Sequence, residues 1–169
     1  MPFLTDEQQS LATEVAKLLT DRGDTIAVAE STTGGLVSAA LLSTAGASRY
    51  YAGGGVLYTL NSRIVLAGSP PEMFENYRGT TQEMLAAVGE GFRQKLDATW
   101  CIAESGLAGP TSGRSGLPPG RTTISISGPV TRSAVFETGI SEREPNMVNF
   151  TTLTLRYLRD ALVERLDRS

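Results

Sequence analysis

Residues 25–36 have the sequence TIAVAESTTGGL, and this stretch decides the fold of the chain. Its first half is short, apolar and rich in β-branched residues, which predicts a buried strand ending near Ala29. The pair Gly34-Gly35 marks a turn, and the small residues that follow it predict a helix through about Ser43. A buried strand that leads directly into a helix is the repeating unit of an α/β sheet.

The rest of the chain supplies further elements of the same kind. Hydrophobic periodicity and capping residues predict helices over residues 6–22, 61–67, 81–96 and 146–166, and strands over 53–59, 100–103, 121–127 and 132–137. Their order predicts a three-layer α/β/α sandwich around a mixed, mainly parallel sheet of about five strands. With 169 residues, we expect one domain spanning residues 1–169.

The composition excludes several classes of function. A net charge of −3 and a pI of about 5.0 give no overall positive field, so we expect neither nucleic acid nor a membrane as partner. The chain has no histidine, which rules out Ser-His-Asp and Cys-His catalysis and histidine metal sites. We therefore expect no metal and no cofactor.

The lone cysteine, Cys101, and a polar N-terminus without a signal-peptide pattern predict a reducing, cytoplasmic location.

Chemistry is expected first at the turn over residues 30–36. A turn at the carboxyl end of a strand directs backbone N–H groups and the helix dipole to one place, which favours an anionic ligand. The hydroxyls of Ser31, Thr32 and Thr33 would add donors, and Gly34-Gly35 would let a ligand approach closely. The alternative is that Ser31 or Thr32 only caps the helix and that the glycines allow tight packing.

Two further segments are expected at the same edge of the sheet. The long Gly-, Ser- and Pro-rich segment 105–120 follows a strand, and a loop of this length is usually functional or mobile. The glycines 53–55 lead a strand towards Tyr58, whose phenol could face Ser31 or could only pack against a helix.

Taken together, these segments resemble a known family. The sequences AESTTGG (29–35), AGAS (45–48), GLAGP (106–110) and PPG (118–120), with the strand ending in Tyr58, have the order and spacing of the CinA C-terminal family. Active members of that family are nicotinamide-nucleotide amidohydrolases, which convert nicotinamide mononucleotide to nicotinic acid mononucleotide and ammonia. The resemblance spans about residues 5–166 and implies a small-molecule nucleotide substrate and a homo-oligomer.

The resemblance also implies roles for particular residues. Ser31 corresponds to the nucleophile of an acyl transfer, and Tyr58 to a family tyrosine. Backbone N–H groups of the turn would stabilise the oxyanion. The residues expected to contact the substrate lie in the turn and in the second glycine segment; they are Glu30, Thr32, Thr33, Gly34, Gly35, Ser105, Gly106, Ala108 and Gly109.

One position departs from the family pattern. The family has a lysine five residues after the tyrosine, and this chain has Arg63 there. A buried lysine can lose its proton and act as a base, whereas a guanidinium stays charged and has no lone pair to offer. Three alternatives remain open from sequence: Arg63 assists a Tyr58 phenolate, a carboxyl of Glu30 or Glu104 is the base, or the chain binds a nucleotide without catalysis.

Overall fold

The computed structural model describes residues 1–168. The helices are α1 (Asp6–Arg22), α2 (Leu36–Leu42), α3 (Leu60–Ala67), α4 (Gln82–Lys95) and α5 (Arg143–Asp167). The strands are β1 (Ile26–Glu30), β2 (Tyr51–Val56), β3 (Trp100–Leu107), β4 (Arg121–Ser127) and β5 (Arg132–Glu137). Short 3-10 turns, Ala47–Arg49 and Pro71–Phe74, precede β2 and follow α3.

The strands form one sheet in the order β2-β1-β3-β4-β5. β1 pairs in parallel with both β2 and β3, and the hairpin β4–β5 continues the sheet by antiparallel pairing. Across the described residues, four strands therefore run in one direction and β4 runs against them. This arrangement confirms the predicted mixed, mainly parallel sheet.

The two faces of the sheet are covered by different helices. Ile26 and Val28 of β1 belong to a hydrophobic core that α1, α2 and α5 share, whereas Ala27 and Ala29 belong to a second core with α4. Because successive strand residues point to opposite faces, one apolar strand fills both cores. The predicted three-layer α/β/α sandwich is confirmed.

The two ends of α1 show how capping residues determine where a helix begins and ends. Thr5 accepts a hydrogen bond from the amide of Gln8, and the Gln8 side chain accepts one from the amide of Thr5, the reciprocal capping box that the sequence predicts. At the other end, Gly23 has φ +70°, a left-handed conformation that favours glycine and stops the helix.

Several predicted boundaries are wrong. β2 covers residues 51–56 rather than 53–59, because Thr59 caps α3 by accepting a hydrogen bond from Ser62. β3 continues through Leu107, because it pairs with β4 as far as Arg121. α5 begins at Arg143 rather than Asn146.

The predicted cap of α4 is also displaced by one residue. Thr81 caps this helix by accepting a hydrogen bond from the amide of Met84. A helix over residues 81–96, as predicted, would have Thr80 as its cap, but Thr80 hydrogen-bonds to the side chains of Arg63 and Ser105 instead.

Within the described part of the chain, no helix has the length and the apolar character needed to cross a membrane.

Two glycines of α4 provide a matched test of helix packing. A methyl group at Gly91 would overlap the carbonyl oxygen of Ala67 at the end of α3, so Gly91→Ala should lower the free energy of unfolding by about 1–3 kcal/mol. At Gly89 a methyl group would meet Ala103 at 3.4 Å, an ordinary contact. Gly89→Ala should therefore stabilise the protein by up to about 1 kcal/mol through helix propensity.

Urea unfolding of both variants measures the difference. Both substitutions gain the same helix propensity, so the contrast isolates the contact between α4 and α3. Equal stability of the two variants would contradict the close approach of these helices.

Candidate functional site

The register of the sheet brings two serines to one edge. Ala29 of β1 lies opposite Ala103 of β3 in a parallel pair, so Ser31 and Ser105 come two residues later on neighbouring strands. The carboxyl ends of parallel strands meet at the edge where α/β proteins bind ligands. The two serines that the sequence singled out are therefore neighbours in the tertiary structure.

Glu30 holds the start of α2. Its Oε1 accepts hydrogen bonds from the hydroxyl of Thr33 and from the amides of Gly35 and Val37, at 2.7, 2.8 and 3.1 Å. Its Oε2 accepts one from the amide of Ser38 at 2.9 Å. The side chain is buried, and a carboxylate is favourable at a helix N-terminus. Glu30 thus fixes the turn rather than presenting a group to a ligand.

Glu104 holds the other side of the same turn. Its Oε2 accepts hydrogen bonds from the amides of Ser31 and Thr33 at 3.3 and 3.1 Å. Its Oε1 accepts one from Thr122 of β4 at 2.9 Å and a short one from Thr32. The carboxyl is buried, and this desolvation raises the pKa of Glu104 although the hydrogen bonds of the turn act against it.

The hydroxyl of Thr33 links the two carboxyls. Its Oγ1 lies 2.7 Å from Oε1 of Glu30 and 3.1 Å from Oε2 of Glu104. A hydroxyl has one proton, so it can donate to only one of them. The shorter bond goes to Glu30, so Thr33 connects the two carboxyl groups through one donated hydrogen bond and one close contact.

These bonds overturn one expectation from the sequence. The turn was predicted to present free backbone N–H groups, but Glu104 accepts those of Ser31 and Thr33, and Glu30 accepts those of Gly35, Val37 and Ser38. The physical reason is burial: backbone donors without water must find internal acceptors, and two buried carboxyls supply them. The sequence expectation overlooked both glutamates as acceptors.

Arg63 extends from α3 to the turn. The side chain is 3% exposed, and its Nε donates to the carbonyl of Leu57 at 3.2 Å. Its Nη1 donates to Thr80 at 2.9 Å, and its Nη2 donates to Ser105 at 2.9 Å and to Ser31 at 3.4 Å. Within residues 1–168, no carboxylate forms a salt bridge with Arg63.

The hydroxyls around Arg63 are also bonded to one another. Thr80 lies 2.8 Å from the phenol oxygen of Tyr77 and 3.0 Å from the hydroxyl of Ser105. We refer to Arg63, Tyr77, Thr80 and Ser105, which all line the cavity, as the cavity floor. Ser31 lies outside the described lining and contacts the floor through Arg63. The floor is a charged guanidinium surrounded by neutral hydroxyls.

The cavity above this floor has a volume of about 520 Å³, within the usual range for small-molecule sites. Its arginines come from different segments: Arg63, Arg78, Arg114 and Arg121. Of these, Arg121 forms an exposed ion pair with Glu137. Among the described residues that line the cavity, none is acidic. The site is thus locally positive in a chain with a net charge of −3.

The structure separates the predicted site residues into two groups. Tyr58, Arg63, Ser105 and Gly106 line the cavity. The described lining does not include the other predicted residues, which are Glu30, Ser31, Thr32, Thr33, Gly34, Gly35, Ala108 and Gly109. Of these, Ser31 is 5% exposed and contacts the lining residue Arg63.

Ala108, which lies outside the cavity lining, is bound to α5 by a hydrogen bond. Its carbonyl accepts a hydrogen bond from the side chain of Asn146 on α5 at 2.8 Å. The segment that follows β3 is therefore anchored to a helix distant in sequence.

Sequence reasoning missed the residues that complete the site. Tyr77 and Thr80 of the floor, and Arg78 and Arg114 of the cavity wall, were not predicted. Their segments lack a periodic pattern, and only the folded chain brings them to the cavity, where Thr80 contacts Arg63.

Histidine, cysteine and acidic side chains do not cluster into a group of three or more that could hold a metal ion anywhere in the described residues.

The comparisons with known proteins agree with the architecture. The family model described as the CinA C-terminal domain matches residues 8–162. A CinA-like protein of Parasynechococcus marenigrum is 41% identical over 120 residues, which cover 71% of this chain and 29% of that protein. Another from Desulfosudis oleivorans is 34% identical over 161 residues, 94% of this chain and 39% of the relative. The chain thus spans about a third of the length of these relatives.

Solved structures show the same fold. A CinA superfamily protein from Klebsiella pneumoniae superposes with a TM-score of 0.86 at 23% identity, covering 93% of this chain and 98% of that one. The competence/damage inducible protein of Agrobacterium tumefaciens has a TM-score of 0.85 at 24% identity, with 96% and 99% covered.

Glu104 should make stability depend on pH in a defined direction. A carboxyl whose pKa is higher in the folded than in the unfolded state contributes stability that is fully present below the unfolded pKa. This contribution is lost as the pH rises from the ordinary value of 4.5 through the raised pKa. Glu104→Gln, which keeps the shape and cannot ionise, should therefore gain stability relative to the parent as the pH rises above about 4.5.

Thermal unfolding of the parent and of Glu104→Gln over a pH series measures this difference. Glu7→Gln, at an exposed position, serves as the control. If the stability difference between parent and Glu104→Gln is independent of pH, the carboxyl of Glu104 has no raised pKa.

Proposed function

Because this chain belongs to the CinA C-terminal domain family, we propose that it is a slow nicotinamide-nucleotide amidohydrolase that hydrolyses the carboxamide of nicotinamide mononucleotide at Ser31. The observation that carries the proposal is the contact between the Ser31 hydroxyl and the Arg63 guanidinium at the floor of an arginine-lined cavity. The products are nicotinic acid mononucleotide and ammonia.

The walls of the cavity support a phosphate-bearing ligand. Arg78 and Arg114 are exposed and line the cavity, and arginine binds phosphate oxygens with two parallel hydrogen bonds. Among the described wall residues no carboxylate competes with such a ligand. A mononucleotide would place its phosphate against these arginines and its pyridine ring towards the cavity floor.

The contact with Arg63 would stabilise the negative charge that develops during attack by Ser31. Ser31 attacks the carboxamide carbon, its hydroxyl proton leaves, and an acyl-enzyme forms as ammonia departs; water then releases the acid. A guanidinium that donates to the serine oxygen favours the alkoxide over the alcohol. Its one remaining N–H, on Nη1, could also stabilise the oxyanion.

The reaction also needs a general base that removes the proton of Ser31, and the cavity floor does not supply one. Arg63 is a donor without a lone pair, and the two buried glutamates already accept the hydrogen bonds of the turn. General-base assistance contributes roughly 10²–10⁴ in rate. We therefore expect turnover to be slower by about this factor than with a lysine at position 63.

A second candidate function is nucleotide binding without turnover. The observation that favours it is the same guanidinium, which binds an anion well and accepts no proton. Under this alternative the chain is a sensor or scaffold, and Ser31 is a ligand contact only.

Removal of the Ser31 hydroxyl separates these two candidates. Ser31→Ala should abolish ammonia release from nicotinamide mononucleotide while the nucleotide still binds, because the phosphate contacts remain. Ammonia release is measured with purified protein under single-turnover conditions. Thr13→Ala, which removes an exposed hydroxyl on α1, is the control. Equal ammonia release by Ser31→Ala and the parent would eliminate Ser31 as the nucleophile.

Restoring a base at position 63 tests the slow step. Arg63→Lys should raise the rate of ammonia release at least about tenfold, part of the 10²–10⁴ that a general base contributes. Burial lowers the pKa of a lysine and so frees its lone pair. Arg156→Lys on the surface of α5 controls for the substitution itself. If Arg63→Lys binds nucleotide normally but is no faster than the parent, the guanidinium is not the cause of slow turnover.

A further inference from the structure

The charge of Arg63 is buried without a counter-charge. The side chain is 3% exposed, and its partners are the carbonyl of Leu57 and the hydroxyls of Ser31, Thr80 and Ser105, all of them neutral. Burial of a cation is unfavourable unless an anion compensates it. This side chain lines the cavity, so the compensating anion could come from a ligand.

The neighbouring carboxyls do not fill this role. The oxygens of Glu104 accept hydrogen bonds from the turn over residues 31–33 and from Thr122, not from Arg63. Glu30 directs its oxygens to the start of α2. Over residues 1–168 the guanidinium therefore has hydrogen-bond acceptors but no neutralising partner.

The cavity floor has donors to spare. A guanidinium carries five N–H groups, and the bonds that Arg63 makes to described residues account for four. The remaining N–H belongs to Nη1, the nitrogen that contacts Thr80. The hydroxyls of Tyr77, Thr80 and Ser105 can also rotate to donate.

Such a floor distinguishes an acid from its amide. A carboxylate offers two acceptor oxygens, one for the remaining N–H of Arg63 and one for a hydroxyl of the floor, and its charge compensates that of the guanidinium. A carboxamide offers one oxygen and no charge, and its NH₂ group cannot bond to the guanidinium.

We propose that the cavity floor is a carboxylate site, so that this chain binds nicotinic acid mononucleotide more tightly than nicotinamide mononucleotide. The inference rests on the proposed function and adds that the acid nucleotide, rather than the amide, is the form that binds more tightly. Any acid that Ser31 produces would stay bound, with one carboxylate oxygen accepting from the remaining N–H of Arg63 and the other from a hydroxyl of the cavity floor. The chain then detects the acid nucleotide as well as forming it.

Isothermal titration calorimetry of the parent with each nucleotide measures the two dissociation constants and tests the proposal. Hydrogen bonds to charged groups contribute about 1.5–3 kcal/mol, so the acid should bind roughly 10- to 150-fold more tightly than the amide. Ser31→Ala protein gives the same comparison without hydrolysis of the amide during the titration.

Two arginine variants locate the preference. Arg63→Gln removes the buried charge and should reduce the preference for the acid to less than about threefold. Arg78→Gln makes the same change on the cavity wall and should weaken both nucleotides equally, because they share the phosphate. If Arg63→Gln fails to fold, the comparison in the parent decides the question.

The outcomes separate this inference from the proposed function. Equal affinity for acid and amide, or tighter binding of the amide, overturns the carboxylate site and leaves the amidohydrolase proposal standing. If folded Arg63→Gln still prefers the acid, another group causes the preference, and Arg63 is not the residue that binds the carboxylate. If neither nucleotide binds, both the proposed function and the carboxylate site fall.

Discussion

Two buried carboxyl groups, Glu30 and Glu104, hold the turn that carries Ser31, and the rest of the site depends on their hydrogen bonds. Glu30 accepts the first amides of α2, and Glu104 accepts the amides of Ser31 and Thr33 from the neighbouring strand. The hydroxyl of Thr33 lies within hydrogen-bond distance of both groups. The position of the Ser31 hydroxyl is therefore set by a rigid network and not by a flexible loop.

This rigidity has a chemical consequence. The amides that would otherwise bind an anion are already used, so the positive charge at the site comes from side chains instead of the backbone. Arg63 supplies it at the cavity floor, and Arg78 and Arg114 supply it on the walls. A chain of net charge −3 thereby presents one locally cationic cavity. Small anionic ligands fit that pattern, whereas an extended polyanion needs a broad positive surface.

The replacement of a lysine by Arg63 connects the proposed function with the carboxylate site. A guanidinium favours anions at every accessible pH and cannot accept the serine proton. Under the proposed function, the same property would slow hydrolysis of the amide and strengthen binding of the acid. Both effects would depend on one side chain, which bonds to Ser31, Thr80 and Ser105.

The sequence alone determined the layered α/β architecture, because the apolar strand before Ser31, the capping box at Thr5 and the helical stripe of α4 are local patterns. It also singled out Ser31, Tyr58, Arg63 and Ser105 as candidate site residues, from motif order and the family resemblance. Only the tertiary structure decided that Glu30 and Glu104 are acceptors for the turn, that Thr80 contacts Arg63, and that Tyr77 contacts Thr80. Burial and contacts between distant segments create those roles, and neither is encoded in a local pattern.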